Sequence, residues 1–264
     1  MALTRGIMNR KTAIITGASS GLGKEYLRQL LNDQSIEEYW IIARREQILN
    51  HLKMQDEKRI RPVPMDLTDP AAMHDFQTLL KEEQPDVRWL ISNAGMGRIG
   101  TVTETSEEDT ARMIDLNCKA AAEITQAVLP YCSRGTKILE VCSTAAFQPM
   151  PGLAVYAATK SFLHSYTKAL HHELLTSGIH VTAVCPYWVK DTAFIPTAKK
   201  TGHKGFRHTP LASKSESVVR ISLRDAKLNL WVSTPGIVCT VDRFAAKFIP
   251  HFIIVPIMDL VRKI

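Results

Sequence analysis

The sequence predicts a doubly wound α/β fold, a parallel sheet with helices on both faces, built as a single domain of 264 residues. Three observations carry this. Short apolar, β-branched runs alternate along the chain with stretches of helical periodicity. The first run leads directly into Gly17-Ala-Ser-Ser-Gly21-Leu-Gly23, and a helical pattern follows at once. Polar and glycine residues suited to ligand binding gather at the carboxyl ends of the apolar runs, where open α/β sheets hold their ligands.

The first strand is Lys11–Thr16. In the turn after it, glycines let the backbone approach a pyrophosphate, and the following helix offers unpaired N–H groups and the positive end of its dipole. Gly17, Ser19, Ser20, Gly21, Leu22 and Gly23 are therefore candidate nucleotide-binding residues. The second strand, Tyr39–Ala43, runs into Arg44 and Arg45. An acid at this place would take the ribose 2′-hydroxyl of NAD, whereas arginine accommodates the 2′-phosphate of NADP. Two arginines and no acid point to NADP(H). The third strand, Ile60–Met65, is interrupted by prolines and ends on Asp66 and Leu67, with Asp66 a candidate for the adenine edge. Asp69 before Pro70 reads as a helix start.

Val87–Ser92 is the fourth strand, followed by Asn93-Ala94-Gly95-Met96-Gly97, whose glycines would allow close cofactor approach. From Ser106 to about Leu129 the pattern predicts one long helix, with Ser106 and Asp109 as a capping pair and Pro130 closing it. Asn117 lies in its middle. Asparagine is a poor interior helix residue, and its neighbours Leu116 and Cys118 are apolar, so a functional position is indicated. The fifth strand, Lys137–Cys142, ends on Ser143. A helix over Leu153–Thr176 places Tyr156 and Lys160 one turn apart on one face. An ammonium beside a phenol favours the phenolate and lowers its pKa. Such a tyrosine exchanges a proton with a carbonyl or alcohol oxygen, and Ser143 would hold the same oxygen.

The sixth strand, Ile179–Cys185, is stopped by Pro186. Residues 187–212 then break the rhythm, mixing Phe194, Ile195 and Phe206 with Lys199, Lys200, Lys204 and Arg207. A long irregular insertion at the carboxyl edge is a candidate substrate lid. Ser213–Lys227 reads as a helix and Leu230–Ser233 as the last strand, so the domain spans residues 1–240.

Composition narrows the function. The net charge is +7, but the basic residues form no single arm, so nucleic-acid binding is not expected and anionic cofactor phosphates are. Five cysteines without Cys-x-x-Cys spacing predict no metal site and small core residues in a reducing cytoplasm. Met1–Arg10 lacks the apolar core of a signal peptide. The tail, residues 241–264, is apolar but broken by Pro250 and Pro256, too interrupted to cross a membrane. It is expected to pack on the domain or on an oligomer partner, with membrane-surface contact ranked second.

Taken together, these residues resemble the short-chain dehydrogenase/reductase family across nearly all of residues 11–240. The cofactor motif appears as Thr16-Gly17-Ala-Ser-Ser-Gly21-Leu-Gly23, the fourth-strand motif as Asn93-Ala94-Gly95, and the catalytic tetrad as Asn117, Ser143, Tyr156 and Lys160. The resemblance implies a Rossmann-type sheet, Tyr156 as general acid in reduction and base in oxidation, and Ser143 positioning the substrate oxygen. It implies that Lys160 tunes Tyr156 and binds the nicotinamide ribose, and that Asn117 holds a water. Pro186, Val189 and Thr192 fall where the family contacts its cofactor, although the usual Pro-Gly is here Pro186-Tyr187 and Thr192 comes one residue late. Pro-Tyr at this point is similar to some hydroxysteroid and long-chain ketoacyl reductases. The implied activity is an NADP(H)-dependent interconversion of a ketone and a secondary alcohol on a small lipophilic substrate of steroid, bile-acid or fatty-acyl type, by a homodimer or homotetramer. The alternative is a catalytically idle NADP(H)-sensing or partner-binding protein on the same fold.

Overall fold

A computed structural model describes residues 9–199 and 211–263. The described strands are β1 (Lys11–Thr16), β2 (Glu38–Ala43), β3 (Ile60–Pro64), β4 (Asp86–Ser92), β5 (Cys132–Val141), β6 (His180–Val184) and β7 (Val232–Ser233). They pair in the order β3-β2-β1-β4-β5-β6-β7, parallel throughout. The chain reverses its direction of winding between β1 and β4, which opens a crevice at their carboxyl ends. Prolines 62 and 64 are tolerated because β3 is an edge strand.

Helices cover both faces. On one side α1 (Gly21–Leu30), α2 (Glu46–Lys53) and α8 (Ser215–Lys227) bury Leu27, Leu49, Val219 and Ala226 against Ile15 and Ile41. On the other, α3 (Pro70–Glu83), α5 (Ala121–Val128) and α6 (Ala154–Glu173) bury Phe76, Ile124 and Leu170 against Ile14, Leu90 and Ile138. The strands are apolar on both faces, as expected of a sheet sandwiched between helices.

Two elements depart from the pattern predicted for them. The long helix expected over residues 106–129 is three pieces: α4 (Glu107–Ile114), a π-helical turn at Asp115–Ala120, and α5. Ser106 caps it through the Asp109 amide at 3.1 Å, but the Asp109 carboxylate turns to Arg98 at 2.7 Å. Strand β5 begins five residues earlier than Lys137, with a shift of register against β4 between Val87 and Trp89. After β6 come α7 (Phe194–Ala198) and, beyond α8, the tail helices α9 (Ile237–Phe248) and α10 (His251–Lys263). Residues 200–210 of the expected lid lie outside the described residues.

Candidate functional site

A cleft of about 500 Å³ opens at the carboxyl ends of β1, β2, β4, β5 and β6. Its walls include Gly17, Ser19, Ser20, Gly21 and Leu22 from the first turn, Arg44 and Arg45, Asp66 and Leu67, Asn93, Ala94 and Gly95, Ser143, Tyr156 and Lys160, and Pro186, Val189 and Thr192. Two residues expected at the site, Gly23 and Asn117, do not line it.

Gly17 (φ +66°) and Gly21 (φ +54°) adopt the left-handed conformation that favours glycine. A Cβ on Gly23 would stand 2.3 Å from the Gly17 carbonyl oxygen, so Gly23 acts by letting α1 close onto the turn. The N-cap of α1, Ser20, makes no side-chain hydrogen bond to the helix. The first amides of α1 therefore face the cleft without a side-chain cap, which suits an anion such as a dinucleotide pyrophosphate. Thr16 binds the crevice together: its Oγ1 accepts from the Asn93 and Ala94 amides at 2.9 Å each, while Asn93 Nδ2 donates to the Thr16 carbonyl at 3.0 Å.

At the end of β2, Arg45 reaches back to Ser19, with Nη2 2.8 Å from Oγ. Arg44 pairs with Asp66 at 3.6 Å. The Asp66 carboxylate also accepts from the Thr68 amide at 3.0 Å and its hydroxyl at 2.8 Å. Burial raises the Asp66 pKa, but the bonds from Thr68 and the charges of Arg44 and Arg112 outweigh it, and the net shift is downward. Arg112, which sequence reasoning passed over, thus adds a third guanidinium to this corner and lines the cleft.

The chemistry is concentrated where β5 meets α6. Ser143 follows β5, accepts from the Ala145 amide at 3.1 Å and stands beside the Tyr156 hydroxyl, whose pKa it lowers. Tyr156 and Lys160 share one face of α6, the ammonium 5.9 Å from the ring centroid. The Lys160 ammonium is not the main influence on Tyr156 in this arrangement. Burial is the largest influence on the phenol and drives its pKa upward, opposed only in part by Ser143. Lys160 is itself buried, which lowers its pKa, and its Nζ donates to the Val141 carbonyl at 2.7 Å. In this arrangement burial favours the neutral phenol of Tyr156.

Asn117 lies fully buried in the π-helical turn, behind the cleft. Its Oδ1 accepts from the Met96 amide at 2.9 Å, and its Nδ2 donates to the Met96 carbonyl at 2.8 Å and to Thr159 Oγ1 at 3.0 Å. The side chain clamps the loop after β4 and has no donor left over. A π-turn adds a residue to the helical repeat and is common at functional sites; here it brings Asn117 to that loop.

The roof combines residues of the expected lid, such as Phe194, with others that local sequence signals did not mark, such as Met150 and Trp188. Phe194 of α7 packs on Tyr156, ring centroids 5.5 Å apart. Gly97, expected to admit cofactor, makes room for this pair: a Cβ there would lie 2.8 Å from Phe194 and 3.0 Å from Tyr156. Arg98 donates to the Thr197 carbonyl at 3.3 Å, and the Ile99 amide to the Ala198 carbonyl at 2.9 Å, so α7 is tied down over the cleft. Met96, Met150, Leu153 and Trp188 complete an apolar chamber around Tyr156. Thr192 donates to the Val189 carbonyl at 3.0 Å and stands against Gly21. Only long-range packing brings these residues together; the aromatic content of residues 187–194 was the one signal available.

A doubly wound sheet, a glycine turn at the start of α1 and a Ser-Tyr-Lys cluster at one crevice define a nucleotide-dependent oxidoreductase scaffold. The short chain dehydrogenase family model matches residues 11–202, and the chain belongs to that family. It is 30% identical over 234 residues to the oxidoreductase UcpA of Salmonella typhimurium, covering 83% of each chain. It is also 30% identical over 181 residues to an uncharacterized oxidoreductase of Staphylococcus epidermidis, covering 68% of this chain and 78% of that one. Among solved structures, a short-chain dehydrogenase from Sphingobium yanoikuyae in complex with NADPH matches with a TM-score of 0.76 at 26% identity, over 90% of this chain and 93% of that one. A short chain dehydrogenase from Burkholderia cenocepacia in complex with NADP shares the fold, with a TM-score of 0.75 at 20% identity over 93% of this chain and 96% of that one.

Proposed function

We propose that this protein is an NADP(H)-dependent oxidoreductase that interconverts a ketone and a secondary alcohol on a small lipophilic substrate. One observation carries the reading: the Ser143–Tyr156 pair and the glycine turn open into a single cleft. The arginine pair at the end of β2, with Ser19 beside it, supports a 2′-phosphate and hence NADP(H). The NADPH carried by the Sphingobium relative supports the same choice.

When bound, the cofactor supplies the hydride. Ser143 and Tyr156 hold the substrate oxygen between two hydroxyls. The neutral phenol of Tyr156 gives that oxygen its proton, and burial keeps the phenol protonated at neutral pH. Lys160, held by the Val141 carbonyl, stands behind Tyr156 as the nearby positive charge. Asn117 acts through the loop that it clamps, fixing Gly95, where a Cβ would come 3.1 Å from its own Oδ1 and 3.3 Å from Lys160 Nζ. Phe194, Trp188, Met96 and Met150 exclude water and favour an apolar substrate. Mixing the protein with NADPH and a panel of aliphatic, steroidal and acyl ketones, and following the loss of NADPH absorbance, tests the reading. Tight NADPH binding without turnover of any ketone would sink it in favour of a sensor.

A further inference from the structure

Glu140 is a carboxylic acid in the apolar interior, beneath the helices that carry the site. It stands on β5 between Ile138, which packs with Ile124 and Leu170, and Cys142, which packs with Ala121 and Leu163. Side chains alternate along a strand, so Glu140 faces α5 and α6, while Leu139 and Val141 face the layer of α1 and α8. It has no exposed surface. Thr125 of α5 donates to one carboxyl oxygen at 2.6 Å, and the other oxygen has no hydrogen-bond partner. Asp225, the other buried acid among the described residues, is matched by Arg224 and Ser233 at 2.7 Å each.

Lys160 is the complementary case. It is buried, and its Nζ donates to the carbonyl of Val141, the residue next to Glu140, at 2.7 Å. A buried ammonium is costly without an opposite charge. Among the described residues, the acid whose charge reaches it is Glu140.

We propose that Glu140 is the counter-charge of Lys160, a positioning residue that acts on Tyr156 through the ammonium. The two groups lie in the seam between β5 and α6, and their pulls agree. Burial drives the Lys160 pKa down, and Cys142, Glu140, Cys118 and Cys185 oppose it. Burial pushes the Glu140 carboxyl up to about 7, and Thr125, Ser92 and Lys160 oppose it. The Cys118 and Cys185 thiols are themselves pushed up by burial, which leaves Glu140 and Cys142 to supply the charge. A carboxyl ordinarily ionises several pH units below a thiol, which favours Glu140. Tyr166 of α6 also feels Glu140, but burial pushes its phenol up to about 12, so it stays neutral. The neighbouring strands place uncharged Ser92 and Ala183 opposite Glu140. As pH rises through about 7 the carboxylate forms and holds the ammonium charged. A charged Lys160 in turn favours the phenolate that alcohol oxidation needs.

The test is NMR titration of the full-length, cofactor-free protein carrying 13C at the lysine Cε atoms. The Lys160 resonance is the one missing from Lys160→Met. In Glu140→Gln the Lys160 pKa is expected to fall by at least about one unit, a tenfold loss of proton affinity. Thr125→Val removes the hydrogen bond to Glu140 but no charge, and is expected to leave that titration nearly unmoved. An unchanged Lys160 titration in Glu140→Gln, an equal fall in Thr125→Val, or a fall in Cys142→Ala alone would each overturn the proposal. Should Glu140→Gln not fold, reciprocity supplies a second reading. Lys160→Met is expected to raise, by at least about one unit, the pKa of the glutamate Cδ resonance that titrates near neutrality in the wild type; no movement would be equally fatal. These titrations do not depend on the reaction. The role in turnover rests on the proposed function: the alkaline decline of kcat for alcohol oxidation is expected at correspondingly lower pH in Glu140→Gln, and a limb that stays in place would refute that role. A shifted Lys160 titration in a protein that turns over no alcohol or ketone would support the counter-charge and sink the proposed function instead.

Discussion

Phe194 lies over the ring of Tyr156 at a centroid separation of 5.5 Å, in space that Gly97 leaves open by having no side chain. The contact joins the roof of the cleft to its central phenol, so the first prediction concerns Gly97. Alanine there must displace one ring or the other, because its Cβ would meet both at 3.0 Å or less. Overpacking of this kind costs about 1–3 kcal/mol, and a displaced phenol loses its alignment. Gly97→Ala is expected to lower kcat/KM about tenfold or more while leaving NADPH affinity nearly unchanged. Steady-state kinetics with wild-type kcat/KM would show that the contact has no part in turnover.

Tyr156→Phe removes the proposed proton donor and the hydroxyl beside Ser143 while keeping the ring that packs on Phe194. A positioned acid contributes about 10²–10⁴ in rate. Turnover is expected to fall by at least about a hundredfold, with NADPH still bound. Substantial residual activity would mean that another group delivers the proton.

Arg44→Asp places a carboxylate beside Asp66 at the corner assigned to the 2′-phosphate. NADPH affinity is expected to fall at least about tenfold more than NADH affinity, a difference of about 1.4 kcal/mol. Fluorescence titration with both cofactors measures it. Equal losses would assign the phosphate to other residues.

Asn117→Ala strips the Met96 amide and carbonyl of their side-chain partners. Leaving buried polar groups unmatched costs about 1–3 kcal/mol. The urea midpoint is expected to drop accordingly with no change in slope. An unaltered midpoint would mean that the loop holds its place without the clamp.

Glu140 supplies a pH prediction. It is fully buried on β5 and accepts from Thr125 at 2.6 Å, while Ser92 lies beside its second oxygen without a well-formed bond. Burial raises its pKa to about 7 from an ordinary 4.5, against the opposing pull of Thr125, Ser92 and Lys160. The folded chain therefore holds this proton more tightly than the unfolded one. The resulting stability is complete below pH 4.5 and is lost as pH rises to about 7, at up to about 1.4 kcal/mol per pH unit. Glu140→Gln keeps the shape and removes the titration. Its stability relative to wild type is expected to climb across that window and then level off. Parallel stability curves for the two proteins would refute the assignment.

Much of this protein was legible residue by residue. The turn Gly17–Gly23 shows itself through neighbours along the chain, since a strand, three glycines and a helix start need no distant partner to be recognised. The same holds for Tyr156 and Lys160, whose shared face follows from helical geometry, and for Arg44 and Arg45, which directly follow β2. The alternation of apolar runs set the parallel sheet for the same reason: burial on both faces is written into each strand's own composition.

Tertiary packing alone decided the rest. Nothing near Asn117 announced a π-turn, because the extra residue is tolerated only where the side chain finds Met96, 21 positions away. Spacing shows Lys160 beside Tyr156, but the loss of water around the phenol, which drives its pKa upward, is imposed by residues from several elements. Gly97 and Phe194 are 97 residues apart by number and meet only once the sheet is wound. Covalent neighbours fix backbone conformation and which groups are on hand; which of those groups lose solvent, and whose oxygen each donor finds, is a property of contacts between distant parts of the chain.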